Sequence, residues 1–384
     1  MDEKTAQSLL IKILSCALNG TAPDETVKEQ LTPEILGAIY RLAKKQDLAH
    51  LVSRFVSDNG IRVPQELYSK IQREEILSVY RYEQLNYTFE EICGILDKAN
   101  IAYVPLKGSV IRPFYPDASM RTSCDIDILI HEADIESAVS CFEEKGYRFE
   151  QRNYHDVSLY SPANIHLELH FSIQENMENL DAVLNDVWEY ATLTKGSRYE
   201  LRTEFFVFHM FAHMAYHFLS GGCGIRALMD LWVMEHHMNA SYSCAEPLLK
   251  KAGIDVFAVE MSKLANQCFT EHNRDAFSEL LLGYIYRGGV YGSFENSAAI
   301  QRSEQNSTLI YVLKRLFLPY KIMVLSYPIL KKAPFLLPFY WVIRWIKGLR
   351  KGKNKKAVAD VKCAGRISDE KIEEAKAIRS QLGL

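Results

Sequence analysis

The chain has 384 residues, of which 48% are hydrophobic and 24% are charged, and its formal net charge is −3. This composition supports a sizeable buried core and excludes an intrinsically disordered protein. The eight cysteines form no CxxC pair, so we expect neither a disulfide framework nor a structural zinc site. Because we find no signal-peptide pattern and no apolar run long enough to cross a bilayer, we expect a cytoplasmic protein.

Residues 1–100 are predicted to form an N-terminal helical region. Thr32 before Pro33 is a typical helix start, because the threonine side chain caps free backbone N–H groups. Residues 65–99 keep helical spacing with no proline and one glycine. We therefore expect this region to end in one long helix.

The hydrophobic period changes after residue 100. IAYVPL (101–106) and CDIDILI (124–130) are typical of buried strands, and residues 131–146 have helical spacing that ends at Gly146. Three further strand patterns follow, YRFEQ, DVSLYS and the alternating IHLELHF that ends at Phe171. Together they predict an α+β fold, with a small mixed-sheet core at residues 101–180.

Residues 181–300 are predicted to form a helical domain that completes a cleft. The breaks in its helical pattern fall at glycines, near Gly196, at GGCG (221–224) and at Gly253.

Residues 301–384 are predicted to form a basic, aromatic-rich C-terminal helical segment. Residues 305–359 contain twelve Lys or Arg and no Asp or Glu, which leaves an acidic body. Such a segment either contacts a membrane surface or packs its aromatic side chains onto the helical body. Four prolines divide it into short pieces, which favours packing on the body.

Two carboxylates, Asp125 and Asp127, interrupt the second aliphatic strand. Residues two apart on a strand share a face, so both carboxylates point one way while Ile126 and Ile128 enter the core. The carboxylates repel each other unless a cation lies between them, and oxygen ligands favour Mg²⁺. The pattern predicts a metal site, with a solvent-facing strand edge as the alternative.

Two more features accompany these carboxylates. Gly108 and Ser109 follow the preceding strand, and Glu168 lies on a later one. This order, a strand with GS, then DxD, then a single acid between hydrophobic residues, resembles the DNA polymerase β type nucleotidyltransferase superfamily. PLKGSVIRPFYPDASMRTSCDIDILI and the later LELHF resemble, more narrowly, a bacterial nucleotidyltransferase family of largely uncharacterised members often found beside biosynthetic genes. The resemblance is strongest over residues 101–171.

The resemblance implies a Mg²⁺-dependent transfer of a nucleoside monophosphate from an NTP to a hydroxyl or similar acceptor, with release of pyrophosphate. Asp125 and Asp127 would bind two metal ions, Mg²⁺ or alternatively Mn²⁺. Glu168 would complete one metal site and help to deprotonate the acceptor. Gly108 and Ser109 would hold the β and γ phosphates, although their distance in sequence from Asp125 is longer than in minimal members of the superfamily.

Several cations are further candidates for nucleotide binding. Lys107, Arg112 and Arg121 are positioned to contact phosphates, and the alternative for each is a solvated loop cation. Arg226 is expected over the nucleotide cleft. Its alternative is an ion pair with Asp230, one helical turn further on.

Histidines occur in two periodic groups. His166 and His170 share a strand face with Glu168, and we expect His170 to support the carboxylates or contact the acceptor, and His166 to lie on the surface. His209, His213 and His217 recur every four residues on one helical stripe. Because no acidic or cysteine partner has matching spacing, we interpret these three as histidines at a helix interface rather than metal ligands.

The expected partners are an NTP and a small-molecule, peptide or protein acceptor, and the acidic body argues against nucleic acid. Three alternatives remain open. They are phosphoryl transfer from the same site, which would release ADP, a non-catalytic nucleotide-binding or antitoxin-like module, and a scaffold at a membrane surface.

Overall fold

The computed structural model describes residues 3–290, 292–304, 316–320, 323–324, 327–350 and 367–384. The N-terminal region is helical, as predicted, and Thr32 Oγ1 accepts a hydrogen bond from the backbone N–H of Ile35. The long helix predicted at 65–99 is confirmed as a 34-residue helix. The helices are α1 (Glu3–Asn19), α2 (Glu25–Gln30), α3 (Pro33–Lys45), α4 (Ala49–Asp58) and α5 (Gln65–Lys98).

A seven-stranded mixed sheet follows, so the predicted α+β class is confirmed. Its order is β3-β4-β5-β2-β1-β7-β6, in which β2 runs parallel to β5 and β1 runs parallel to β7. The strands are β1 (Tyr103–Pro105), β2 (Asp125–Ile130), β3 (Arg148–Arg152), β4 (Asp156–Tyr160), β5 (His166–His170), β6 (Ala191–Lys195) and β7 (Arg198–Leu201).

The register between β2 and β5 is fixed by their buried face. Asp127 lies opposite Glu168, and Asp125 lies opposite His166. The intervening Ile and Leu residues are buried in a core that α5 and a further helix cover. Burial of each such side chain stabilises the fold by about 1.5–3 kcal/mol, so a slip by one residue is strongly disfavoured. The packing of the apolar face thus aligns the carboxylates on the other face.

The prediction that only helices follow Leu180 is wrong for residues 191–201, which form the hairpin of β6 and β7. Gly196 turns the hairpin with φ +59°, and the backbone N–H of Ser197 donates to Asp97 Oδ1 at 2.8 Å. The sheet therefore extends beyond the range predicted for the core. The division into four domains stays a prediction.

Apart from the helix Ile135–Glu144, which packs on the sheet, the remaining helices of the body pack with the N-terminal helices into one large hydrophobic core. They include two long helices beside the sheet, α9 and α10, that carry three of the periodic histidines and Arg226. The set is α6 (Gly108–Ile111), α7 (Ile135–Glu144), α8 (Glu178–Leu184), α9 (Thr203–Leu219), α10 (Ile225–His237), α11 (Glu246–Lys251), α12 (Asp255–Asn266), α13 (Ala276–Gly288) and α14 (Phe294–Glu304).

The described part of the C-terminal segment has a small apolar cluster of its own around Met323, Val324 and Leu330. It ends in α15 (Leu337–Arg350) and α16 (Asp369–Leu382), and short 3-10 helices begin at Pro328 and Pro334. Its aromatic rings contact one another, as in the edge contact of Phe317 with Trp341 at 5.0 Å. Our interpretation that these rings pack onto the body stays a prediction. No helix in the described ranges combines the length and apolarity needed to cross a membrane.

Candidate active site

Asp125 and Asp127 point to the same side of β2 and line a cavity there, together with Glu168 of β5. Asp127 is buried, with 7% of its side chain exposed, and it accepts hydrogen bonds at Oδ1 from Lys107 Nζ and from His170 Nε2, both at 3.0 Å. Asp125 is less buried and accepts a hydrogen bond from Ser123 Oγ at 2.8 Å. The two carboxylates therefore differ in their surroundings, although both face the cavity.

The cations beside Asp127 offset the cost of its burial. Burial alone would raise the pKa of Asp127, but Lys107 and His170 outweigh it and hold this pKa well below its usual range. Burial alone would lower the pKa of His170, but its hydrogen bonds to Asp127 and Glu168 raise it to about 9. The expected supporting position of His170 is confirmed by these contacts. His166 is only partly exposed, and its Nδ1 lies 3.8 Å from Glu168 Oε1, which corrects the expectation of a plain surface residue.

Lys107 reaches Asp127 from a strained turn after β1. Its φ of +46° is uncommon for a residue with a side chain, and such strain persists where the surrounding structure holds it. Burial disfavours the charged ammonium, but the attraction of Asp127 is larger and raises the pKa of Lys107. Lys107 is thus a charged, cavity-lining residue rather than a solvated loop cation.

Arg121 also lines the cavity, and Asp230 of α10 holds it there. Arg121 Nη2 and Nε lie 3.0 and 3.3 Å from the two carboxylate oxygens of Asp230, and Tyr115 donates to the same carboxylate at 2.7 Å. A Cβ at Gly108 would lie 2.5 Å from Arg121 Nη1. The glycine therefore makes room for this guanidinium, and not only for a phosphate as the sequence suggested.

Arg112 is buried behind Arg121. Its Nε donates to the backbone carbonyl of Arg121, and its Nη2 has no hydrogen-bond partner among the described residues. Burial, and then the neighbouring Arg121 charge, lower the pKa of Arg112 to about 10. For Arg112 the sequence left two alternatives, a phosphate contact and a solvated loop cation. The second is wrong, because the side chain is buried.

Arg226 lines the cavity from α10. Its Nη1 donates to the carbonyl of Thr122 at 3.0 Å and lies 3.6 Å from Asp47 Oδ2. The alternative of an intrahelical ion pair with Asp230 is wrong, since Asp230 pairs with Arg121. Ser109 is half-buried on α6 and is not one of the described residues that line the cavity.

Two groups of side chains have the donor atoms for a metal ion. They are Asp125, His166 and Glu168, and Asp127, Glu168 and His170, with the ligand atoms of each group within 4.8 Å of one another. Glu168 belongs to both groups. Carboxylate oxygens suit Mg²⁺ and Mn²⁺, so the chemistry of the donor set fits a divalent cation of that kind.

The cavity has a volume of about 380 Å³, within the range of small-ligand sites. We call the lining that carries Lys107, Arg121 and the three carboxylates the carboxylate wall, and the lining from α9, α10 and the segment after β5 the helical wall. The cavity thus brings together the residues of the predicted site except Ser109 and Arg112, which do not line it.

The periodic histidines of α9 line the helical wall and have an acidic neighbour that the sequence did not indicate. His213 Nδ1 lies 2.8 Å from Glu175 Oε1, and His213 Nε2 lies 3.0 Å from His217 Nε2. The acid is not at matching spacing on the helix but comes from the segment after β5. The only signal in the sequence was an acidic residue shortly after β5, because the contact joins positions 38 residues apart.

An α+β sheet that presents three carboxylates from two adjacent strands to a cation-lined cavity defines a nucleotidyltransferase-type site. A family model described as uncharacterised nucleotidyltransferase matches residues 35–270. The chain therefore belongs to this family, and the protein is a transferase enzyme. The search of curated proteins and the search of solved structures each returned no match.

Proposed function

We propose that the protein uses a divalent cation, Mg²⁺ or Mn²⁺, to transfer a nucleoside monophosphate from an NTP to a hydroxyl group of a small molecule, peptide or protein. The observation that carries the proposal is the in-register pairing of Asp127 with Glu168 beside Asp125 at the wall of one cavity. Family membership supports the general reaction class. The substrate-level assignment is ours.

In this proposal Asp125, Asp127 and Glu168 hold the metal ions. Bound there, divalent cations lower the pKa of an attacking hydroxyl and stabilise the charge of leaving pyrophosphate. Lys107 and Arg121 supply fixed positive charge to the triphosphate from the same wall, and Arg226 supplies it from α10. Asp230 and Asp127 orient the two nearer cations before the nucleotide arrives.

The cavity also bears on the type of acceptor. It lies between the sheet and α9 and α10, and its lining mixes apolar and hydrogen-bonding side chains. A concave site of this volume suits a compact acceptor or a single protein side chain better than a long nucleic acid.

The test follows a labelled phosphate. The protein is incubated with Mg²⁺, a metabolite and protein extract, and ATP labelled at either the α or the γ phosphate. Transfer of the α label, with release of pyrophosphate, supports the proposal, and mass spectrometry of the labelled product identifies the acceptor. Transfer of the γ label with release of ADP would instead establish phosphoryl transfer. No transfer of either label, from any of the four NTPs, would contradict the proposal and favour a binding module.

A further inference from the structure

The helical wall of the cavity contains a chain of hydrogen bonds with no role in the chemistry above. Glu175 follows β5, His213 and His217 lie on α9, and all three line the cavity. Glu175 Oε1 is 2.8 Å from His213 Nδ1, and the Nε2 atoms of the two histidines are 3.0 Å apart. Both ring nitrogens of His213 are therefore engaged in one continuous chain.

Two arrangements of protons satisfy this chain, because each neutral imidazole has one donor and one acceptor nitrogen. With Glu175 ionised, His213 Nδ1–H donates to Glu175, His217 Nε2–H donates to His213, and His217 Nδ1 keeps a lone pair. With Glu175 protonated, every donor and acceptor is reversed, and His217 Nδ1 carries the proton. When His217 Nδ1 takes up a proton, the Glu175 carboxylate therefore becomes protonated, and neither imidazole ring becomes charged.

The surroundings keep the two imidazole rings neutral and bring the pKa of the Glu175 carboxyl close to neutral pH. Burial lowers the pKa of His213 well below its usual range and that of His217 to about 4. Burial raises the pKa of Glu175 to about 7. The charged or titratable groups that act on these three from neighbouring elements are Lys107, Asp127, Tyr154, His170, Asp181, His209 and Tyr216.

Apolar side chains accompany these three residues on the same wall. They are Ile173, Met210, Met214, Leu231 and Val290, and the polar residues of this wall include Tyr216 of α9 and Arg226 of α10. The lining residues that α9 contributes offer hydrogen bonds and dispersion contacts but include no lysine or arginine, so this part of the wall matches an uncharged group with both hydroxyl and aliphatic parts.

We propose that Glu175, His213 and His217 form the acceptor site, which binds a hydroxyl group of a neutral, partly aliphatic molecule and takes up the proton that this hydroxyl loses. The inference rests on the proposed function. The hydroxyl O–H bond breaks as the oxygen bonds to the α-phosphorus, and the bond from that phosphorus to the β-phosphate breaks, so that pyrophosphate leaves with the electron pair. The proton passes to His217 Nδ1, the Nε2 proton of His217 to His213, and the Nδ1 proton of His213 to Glu175.

This relay supplies a base that the carboxylate wall lacks. Glu168 Oε2 lies 3.4 Å from His170 Nε2, and Glu168 belongs to both groups of candidate metal ligands. Its oxygens are therefore engaged, whereas the relay is separate from those ligands. His217 is the residue that contacts the acceptor, and His213 and Glu175 position it and store the proton.

The test observes the relay directly. In the full-length protein labelled with ¹⁵N-histidine, long-range ¹H–¹⁵N spectra report the tautomer of each ring as the pH is changed from acidic to alkaline. We expect His213 and His217 to exchange tautomers together, with a midpoint close to the pKa of Glu175, while both remain neutral. Glu175→Gln should abolish the exchange, and the matched exposed change Glu178→Gln should preserve it. Independent protonation of either ring, or fixed tautomers, would overturn the proposal.

A second measurement connects the relay to catalysis and uses water as the acceptor. We expect His217→Ala and Glu175→Gln to reduce pyrophosphate release from Mg·ATP at least tenfold without weakening ATP binding, and to remove the limb of the pH profile near neutrality. An unchanged profile in Glu175→Gln would overturn the catalytic role of the relay. Absence of pyrophosphate release from the wild-type protein would count against the proposed function, and the tautomer exchange would then decide the relay alone.

A separate observation concerns the C-terminal segment, where a stripe of apolar side chains faces outward. Phe335, Phe339, Val342 and Ile346 follow helical spacing at the start of and along α15, and Phe335 and Phe339 are 79% and 64% exposed. None of the four belongs to a hydrophobic cluster of the described residues. Lys331, Lys332 and Lys347 are exposed nearby.

We infer that this stripe lies on an anionic lipid bilayer. The argument is charge complementarity, because residues 305–359 carry twelve Lys or Arg and no acid, while an amphipathic helix with aromatic residues and flanking cations suits the headgroup layer. This reverses the preference drawn from the sequence, which rested on the prolines. The prolines do divide the segment, but α15 itself is continuous over fourteen residues.

Co-sedimentation with vesicles tests the inference. We expect the full-length protein to bind vesicles of equimolar phosphatidylcholine and phosphatidylglycerol in a salt-sensitive manner, and to bind pure phosphatidylcholine at least tenfold more weakly. The double change Phe335→Glu and Phe339→Glu should abolish binding, whereas Tyr80→Glu and Tyr87→Glu on the exposed side of α5 should not. Equal binding of both variants, no binding by the wild type, or a stable dimer that the phenylalanine variant alone dissociates would overturn it.

Discussion

Arg121 and Asp230 form a buried ion pair, with Arg121 Nη2 3.0 Å from Asp230 Oδ2, across 109 positions of the chain. The pair joins the loop before β2 to α10, so it connects the carboxylate wall of the cavity to the helical wall. Burial disfavours the charged guanidinium, but Asp230 outweighs it and raises the pKa of Arg121. Arg121, which the sequence suggested as a phosphate contact, therefore also holds the loop before β2 against α10.

We expect Asp230→Asn to lower the free energy of unfolding by about 3–5 kcal/mol, because it leaves a buried guanidinium without its counter-charge. Asp186→Asn is the matched control. Asp186 pairs with Lys251 at the surface, at 3.4 Å, and its loss should cost under about 1 kcal/mol. Urea denaturation measures the free energy of unfolding of both variants, and equal losses would show that the buried pair does not stabilise the fold.

Gly108→Ala should weaken nucleotide binding by displacing Arg121, whose Nη1 would lie 2.5 Å from the new Cβ. Gly94→Ala on α5 is the control, because a Cβ there meets no atom within 4 Å, and it should stabilise the helix by about 0.5–1 kcal/mol. Calorimetric titration with Mg·ATP compares the two. Undiminished affinity in Gly108→Ala would show that the position of Arg121 does not matter for the triphosphate.

Asp127→Asn should abolish nucleotidyl transfer and also destabilise the protein without bound metal. The sequence predicts that Asp125 and Asp127 repel each other, but in the structure Asp127 is paired with Lys107 and His170. Removal of its charge leaves the Lys107 ammonium without its partner carboxylate and His170 with Glu168 alone, at a cost of about 3–5 kcal/mol. Asp125→Asn should lose activity with little loss of stability, since Asp125 is less buried and accepts from Ser123. Thermal unfolding distinguishes the two, and full turnover in either variant would remove that residue from the site.

Glu168→Gln should reduce transfer far more than binding of Mg·NTP. Asp125 and Asp127 remain to hold the metal that accompanies the triphosphate, whereas the third carboxylate is missing from both donor groups. Parallel calorimetry and pyrophosphate assays test this. If binding and turnover disappear together, Glu168 is required for the fold or for nucleotide binding itself.

Glu175→Gln should change how stability depends on pH. A carboxyl group whose pKa is raised to about 7 in the folded protein contributes stability below the unfolded pKa near 4.5, and this contribution is lost as the pH rises through 7. The glutamine variant has no such group, so above pH 7 it should be more stable than the wild type by up to about 3 kcal/mol. Denaturation at pH 5 and pH 8 measures the difference, with Glu178→Gln as control, and parallel curves for all three proteins would contradict the prediction.

The sequence predicted the elements whose side chains alternate between core and cavity. The carboxylates of β2 and Glu168 of β5 were found because aliphatic residues separate them at a period of two, and the long α5 because nothing interrupts its spacing. The hairpin of β6 and β7 was missed because most of its side chains are exposed, so no apolar period marks it.

The partners of charged side chains were less predictable. Local spacing offered Arg226 as a partner for Asp230, yet the chain brings Arg121 there from another part of the fold. The contact of Glu175 with His213 depends likewise on how the segment after β5 packs against α9. Such contacts are decided by tertiary packing, and a single sequence contains no direct signal for them.

The two walls of the cavity come from different stretches of the chain, the carboxylates from β2 and β5 and the relay mainly from α9. Because of this separation, the residues that bind the acceptor can change in evolution without a change in the residues that bind the nucleotide. On the proposed acceptor site, we expect substitutions at positions 210 and 214 to change what the enzyme modifies, while the nucleotide and its activation stay as they are. Among related chains, we therefore expect one shared donor chemistry and diverse acceptors, and an exchange of α9 between two such chains should exchange their acceptors.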